Sequence, residues 1–220
     1  MEKVVIFGMG DIAEIAHYYL LKSNEFEVVG FTVDREYLKE PTYKKLPVVP
    51  FEEVEDTFSP QECKMFVPLS YTKVNEFRAE KYNTAKEKGY KFISYISPHA
   101  SIAENAIIGE NCFIFEDNTV QPFVKIGNNC ILWSGNHIGH HSKISDHCFI
   151  ASQVVIGGGV EVEEKTFIGV NATLRDHIKI GKSNVIGAGA LILSNTENNQ
   201  VYMATATEVS RVPSNRLRGI

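Results

Sequence analysis

The sequence has no block of basic residues. Its formal net charge is −5, whereas nucleic-acid binders gather Lys and Arg on one face, so that class has no support. No apolar run approaches the roughly 20 residues a membrane span requires. No secretory leader is legible: Met1-Glu2-Lys3 runs into a short apolar stretch and then Gly8-Met9-Gly10-Asp11, without a cleavage-type site. The expectation is a soluble, cytoplasmic protein. Cysteine is scarce, four residues in 220. Nothing points to an oxidising compartment, so disulfides are not expected.

What the chain does have is a ladder. From Ile102 an aliphatic residue recurs at every sixth position: Ile102, Ile108, Ile114, Val120, Ile126, Leu132, Ile138, Ile144, Ile150, Ile156, Val162, Ile168, Leu174, Ile180, Ile186 and Ile192. A period of six fits neither a helical face nor the alternation of a strand. It fits a solenoid of six-residue units, each turning one aliphatic side chain inward. Gly often follows the aliphatic residue, as in Ile138-Gly139 and Ile156-Gly157, and corners need residues that tolerate unusual φ/ψ.

Three units make one triangular coil, so residues eighteen apart stack. Cys112, Cys130 and Cys148 have that spacing, with Thr166 and Asn184 continuing the column. Each lies four after its aliphatic residue, at a second inward position. They read as small buried hydrophobes. Stacked inward thiols cannot converge tetrahedrally, so no metal is expected of them.

Residues 1–97 lack the period. Strands are expected over 3–7, 26–33, 64–68 and 91–95, with a helix running to Leu21 and another over 73–88. This β-α-β alternation means an open parallel sheet. Gly8-x-Gly10-x-x-Ala13 matches a dinucleotide-type glycine fingerprint, and Asp34 ends the second strand, where it can accept from sugar hydroxyls. The segment holds only one mononucleotide-binding half, which argues against an NAD dehydrogenase; a purely structural glycine turn is the plain alternative.

The ladder resembles the left-handed parallel β-helix of hexapeptide-repeat acyltransferases. With the α/β half in front, the whole chain is similar to the bacterial sugar acyltransferases of the sialic-acid O-acetyltransferase and UDP-4-amino-sugar N-acetyltransferase type. The resemblance implies a Rossmann-like nucleotide-sugar-binding domain over 1–97, a left-handed β-helix over 98–196 and a tail over 197–220. It implies a homotrimer, with acetyl-CoA in the groove between neighbouring helices, serving surface glycan biosynthesis. Gly8, Gly10 and Asp34 would then contact the nucleotide sugar. Ser70, at the carboxyl end of the 64–68 strand, is a further candidate.

Asn136-His137-Ile138-Gly139-His140-His141-Ser142 sits mid-ladder, with His147 one corner on. His140 and His141 follow the inward Ile138 by two and three and should point outward from a corner. Acyl transfer needs a base, and histidine suits neutral pH. The family's base lies in an Ile-x-His unit followed by an acid, so the resemblance places it at His140. His141 stands where the acid would be, leaving Asp146 or another subunit to orient the base. A metal site from His137, His140, His141 and His147, as in carbonic-anhydrase-like members, is the competing reading; solvated surface histidines are the third. Gly158, eighteen after His140, is implied to present its N–H to the thioester carbonyl, with a tight corner as the alternative for the three-glycine run. Asn171, Ala172, Gly187 and Ala188 are implied to border CoA. Arg211, Arg216 and Arg218 in the tail could meet CoA phosphates, although Met203-Ala204-Thr205-Ala206 replaces the family's usual turn. The function expected is acetyl transfer to a nucleotide-linked sugar, by direct attack and without a metal. A metal-dependent hydratase-like enzyme and a non-catalytic sugar-nucleotide-binding scaffold remain the alternatives.

Overall fold

The computed structural model describes residues 1–216. An α/β region comes first. β1 (Glu2–Phe7), α1 (Asp11–Lys22) and β2 (Phe26–Val33) form a parallel unit. A hairpin follows, β3 (Thr42–Tyr43) and β4 (Leu46–Pro50), then a short α2 (Val54–Thr57), β5 (Lys64–Phe66) and α3 (Glu76–Glu87). The sheet order is β3-β4-β2-β1-β5, parallel except for β3 against β4. Val4 to Phe7 are all buried, as a central parallel strand covered on both faces requires. The chain moves outward from β1 through β2 and β4, then returns to place β5 on the other side. Strand order therefore reverses at β1, which makes the carboxyl ends of β1 and β5 a topological switch point, the place where open parallel sheets form their ligand crevice.

Two expectations need correction, and one hairpin carried no sequence signal. No regular strand spans 91–95: Phe92 makes one parallel bridge to Met65, and the backbone pairing then passes to the β-helix at Tyr95–Ile96. The last helix starts at Glu76 rather than at 73, because Lys73, Val74 and Asn75 are left-handed, with φ of 52°, 52° and 66°. The β3–β4 hairpin was not foreseen, since Pro47 and Pro50 disguise β4 as a loop.

From Tyr95 the chain winds into a three-sided parallel β-helix. Each ladder residue from Ile102 to Ile192 is the second of a two-residue strand, such as His137–Ile138 or Lys143–Ile144. Residues eighteen apart pair in register, Ile126 with Ile144 and Ile138 with Ile156. The ladder side chains form one continuous core with the second inward column. Cys112, Cys130 and Cys148 are fully buried in it. Their thiols donate to the carbonyls of Gly127, Ser145 and Glu163 at 3.1, 3.2 and 3.3 Å. Burial pushes the Cys148 thiol well up, so it stays protonated.

The corners repeat as strictly as the core. At every sixth residue from Asn111 to Gly189, three after a ladder residue, φ is positive. A left-handed corner costs most residues about 1–2 kcal/mol and is easiest for Gly, Asn and Asp. That explains Asn111, Asn129, Gly135, Gly159, Asn171 and Gly189 at these places.

The three faces differ outside. One carries Phe113, Ile131, Phe149 and Phe167 and is covered by the α/β region; we call it the docked face. Phe66 meets Phe113 there at 5.3 Å between ring centres, and Tyr19 meets Phe115 at 5.4 Å. Val201–Tyr202 adds a last strand to this face, beyond residue 196. A second, neutral face shows Ser101, Thr119, His137, Val155, Thr173 and Leu191. A third, charged face shows Ile107, Lys125, Lys143, Glu161 and Lys179.

Candidate functional site

Gly139, His140 and His141 form the corner between the neutral strand His137–Ile138 and the charged strand Lys143–Ile144. Both His140 and His141 are exposed, as the register requires. His141 takes the left-handed corner position, φ 59°. Its ring packs on Phe123 one coil earlier, 4.6 Å between centres. Among the described residues no carboxylate meets His140. Its backbone N–H donates to Gln121 Oε1 at 2.9 Å, and its Nδ1 lies 3.1 Å from His141 Nδ1. One of those nitrogens must carry the proton and the other accept it. If His140 Nδ1–H donates to His141, the His140 lone pair is left on Nε2.

The glycines beneath this corner have distinct reasons. A Cβ on Gly157 would come within 2.5 Å of the Asp176 backbone nitrogen in the next coil. A Cβ on Gly158 would come within 2.7 Å of His140 Cε1 and Nε2. Gly159 takes the left-handed corner, φ 67°. The His140 ring therefore lies directly over Gly158, in space that any side chain there would fill. Among the described residues the Gly158 N–H donates to no acceptor, while its carbonyl accepts from His177 N–H at 2.9 Å.

His147 is not part of this group. It belongs to the next corner, is buried, and its Nδ1 meets Asn129 Nδ2 at 2.8 Å. An amide nitrogen can only donate, so His147 Nδ1 accepts and its proton sits on Nε2. Burial lowers its pKa. Asp146 does not orient His140 either: its Oδ1 accepts the Asn128 N–H at 2.7 Å on that same corner. The four-histidine metal reading therefore has no shared geometry, and no group of three or more metal-ligating side chains is present among the described residues.

The expected cofactor residues divide over two edges of the neutral face. Gly158 lies on the edge with His140. Asn171 and Ala188 are exposed on the opposite edge, next to the docked face. Ala172 is a correction: it occupies the inward column and is fully buried, so its side chain cannot border a ligand. Gly187 is buried too, with the Tyr202 carbonyl 3.0 Å from where a Cβ would be. In the tail, Met203 to Ala206, Arg211 and Arg216 are exposed, and Arg218 lies outside the described residues.

At the switch point, Gly8 has φ 109° and ends β1. Its Cβ position is 3.3 Å from Leu69 Cδ2 and 3.4 Å from Ala13 Cβ, so the turn, α1 and the loop after β5 pack tightly together. Gly10 caps α1 without a side-chain bond, which leaves first-turn N–H groups facing the crevice. Asp11 in that turn opposes an anion; Glu14 is paired with Lys44. Asp34 ends β2 but is committed to Lys81 Nζ at 2.8 Å, both side chains mostly buried. Ser70 is half-buried, and its carbonyl accepts from Arg78.

Arg78 carried no sequence signal, because it sits in a polar helix. It is fully buried, and among the described residues it has no carboxylate partner. Its guanidinium donates to the carbonyls of Leu69, Ser70, Asn129, His147 and Cys148 and to Asn75 Oδ1. Burial lowers its pKa to about 10, which leaves it charged at neutral pH.

Comparison with known proteins follows the architecture. A family model described as GMPPB C-terminal domain matches residues 93–201. No curated protein matches the sequence. Among solved structures, PerB from Caulobacter crescentus in complex with CoA and GDP-perosamine is 21% identical and covers 93% of this chain and 95% of that one, TM-score 0.81. WeeI from Acinetobacter baumannii is 15% identical over 91% and 96%, TM-score 0.80. The acetyltransferase domain of PglB from Neisseria gonorrhoeae, in complex with acetyl coenzyme A, is 20% identical over 92% and 96%, TM-score 0.58. At these identities the likeness establishes a shared fold across nearly the whole chain.

Proposed function

We propose that this chain is an acetyl-CoA-dependent acetyltransferase acting on the sugar of a nucleotide sugar, built as a homotrimer of left-handed β-helices with Rossmann-like domains. One observation carries the reading. His140 stands exposed over Gly158, with a free backbone N–H beside it, in a chain that also has a switch-point crevice. The likeness to structures that hold CoA with GDP-perosamine, or acetyl coenzyme A, supports the same pairing of donor and acceptor.

The His140 corner separates the neutral and charged faces, so it lies opposite the docked face that carries the α/β region. A sugar held at the switch point cannot reach His140 of its own chain. The corner of one copy must meet the crevice of another, which is the reason for a trimer. The neutral face, with Val155 and Leu191 exposed, is the surface suited to that contact. Asn171 and Ala188 on its far edge would border CoA from the neighbouring copy.

In the proposed step His140 Nε2 takes the proton from the acceptor amine or hydroxyl as that atom attacks the thioester carbonyl. The Gly158 N–H stabilises the developing oxyanion. CoA leaves as the thiol, and no cysteine takes part, since the inward thiols are sealed in the core. Gly8, Gly10 and Ser70 hold the nucleotide sugar. Asp34 would contact it only through an acceptor site left free by Lys81. Cytoplasmic nucleotide sugars of this kind feed surface glycans.

Release of free thiol from acetyl-CoA on a panel of UDP-, GDP- and dTDP-amino sugars tests the activity. No turnover on any of them would overturn it. Mixed trimers test the shared site: His140→Asn copies assembled with Ser70→Trp copies should regain activity that neither variant has alone. Sedimentation of the active protein as a monomer would refute the assembly.

A further inference from the structure

Resting on the nucleotide-sugar reading, we infer that Tyr71, held out by a strained left-handed turn that Arg78 clamps, is the residue that recognises the sugar ring. Lys73, Val74 and Asn75 are successive left-handed residues. Each costs about 1–2 kcal/mol for an L-residue, and a β-branched valine there is a genuine outlier. Such strain persists only where the surroundings over-determine it. Here they do. The fully buried Asn75 donates to the Lys165 carbonyl at 3.0 Å and accepts from Arg78 Nη1 at 2.8 Å. Arg78 also holds the Leu69 and Ser70 carbonyls. The loop is thus fastened at both ends to the β-helix and to α3.

What it presents is Tyr71. The ring rests on Phe167 and Phe149, 4.5 and 5.0 Å between centres, yet remains 49% exposed. An exposed aromatic ring set rigidly against two others is a platform for a flat apolar face. Its place along the sheet selects which face. Asp34 ends β2, Gly8 and Gly10 end β1, and this loop follows β5, on the far side of β1 from β2. A nucleotide sugar with its diphosphate at the α1 N-terminus and its nucleoside toward β2 extends its sugar toward β5. Tyr71 then meets the pyranose C–H face, and its hydroxyl can reach a ring substituent.

Calorimetric binding of a nucleotide sugar and of the matching nucleoside diphosphate to the full chain tests this. Tyr71→Leu keeps the apolar packing on Phe149 and Phe167 but removes the ring; Tyr71→Phe keeps the ring. Tyr71→Leu is expected to weaken the nucleotide sugar roughly tenfold, leave the nucleoside diphosphate within about twofold, and flatten discrimination between sugars on the same nucleotide. Tyr71→Phe should restore stacking. Equal weakening of both ligands would move the contact to the nucleoside and overturn the inference, as would wild-type affinity in Tyr71→Leu. Wild-type protein that binds the nucleoside diphosphate but no nucleotide sugar overturns it as well. Binding of neither ligand would instead sink the nucleotide-sugar reading, and this inference with it.

Discussion

Arg78 Nη2 donates to the His147 carbonyl at 2.8 Å, which ties the last helix of the α/β region to a corner of the β-helix. The two residues are remote in sequence, and both are buried where the regions meet. Above this contact runs a side-chain chain of hydrogen bonds. Val67 N–H donates to Asn111 Oδ1, Asn111 Nδ2 to Asn129 Oδ1, and Asn129 Nδ2 to His147 Nδ1, at 2.9, 2.8 and 2.8 Å. Beside the aromatic docked face, this part of the junction is a chain of directed hydrogen bonds, which fixes how the two regions meet.

Arg78→Met removes a cation whose role is to satisfy carbonyls. Several buried acceptors lose their donor, and each unsatisfied group costs about 1–3 kcal/mol. We expect a loss of at least about 3 kcal/mol in urea unfolding, where the variant should give a lower midpoint. A midpoint equal to that of the native protein would show that the carbonyls are not sealed from water.

His147 makes stability depend on pH. Its folded pKa lies below the unfolded value of about 6.5, chiefly through burial, with Arg78 and Lys165 adding to the effect and Asp146 opposing it. The unfolded chain therefore binds the proton more readily, and stability rises with pH. The contribution is complete above about 6.5 and is lost as pH falls toward the folded value. His17, its pKa lowered by burial and by Lys44, adds a second case of the same sign. His147→Asn keeps a side chain suited to the left-handed corner but cannot titrate, so its melting temperature should fall less steeply between pH 7 and 5.

Ile144 is an inward ladder residue, 1% exposed. Ile144→Asp would bury a charge with no partner, costing several kcal/mol at least, and should unfold the coil. Asn128→Asp keeps an oxygen to accept the Glu110 N–H, as Asp146 already does for Asn128. Thermal melts should separate these two variants widely.

On the proposed function, His140→Asn should lower kcat by about 10²–10⁴-fold, the usual range for a lost general base, with the oligomeric state unchanged. His141 can be dissected through its corner. Asn and Gly both occupy equivalent left-handed corners, at Asn129 and Asn171 and at Gly135 and Gly159. If His140 Nδ1–H donates to His141, His141→Gly keeps the backbone but removes that acceptor, so kcat should fall about tenfold or more with unchanged melting. His141→Asn restores an acceptor and should recover most of the rate. Equal rates for the two variants would show that the 3.1 Å contact does not orient the base.

Gly158→Ala tests the space under His140. The backbone at Gly158 is not left-handed, so alanine is sterically allowed locally. Its Cβ would collide with the imidazole, whose atoms must then swing away. On the proposed function, the variant should fold and assemble like the unaltered protein and lose activity roughly as His140→Asn does.

The period of six by itself determined the coil, the three-sided stack and the outward direction of His140 and His141. Each aliphatic residue must be buried, and a two-residue strand in every six-residue side leaves no other register. The buried cysteine column followed from the same arithmetic. Strands β1 and β2 and helix α1 were legible because their apolar runs and glycine turn are local signals. Tertiary structure alone decided the rest. The register sets His147 one corner away from His140, and the docking of the α/β region then buried it beside Arg78. Ala172, four after Ile168, falls at a second inward position by the same period that placed the cysteines, so its burial was legible and only the assigned ligand contact was misplaced. The left-handed turn at Lys73–Asn75 contradicts local propensity and exists because Asn75 and Arg78 hydrogen-bond across the junction. Arg78 itself was invisible, since an arginine on a polar helix reads as solvent-facing until the carbonyls of a distant corner are brought to meet it.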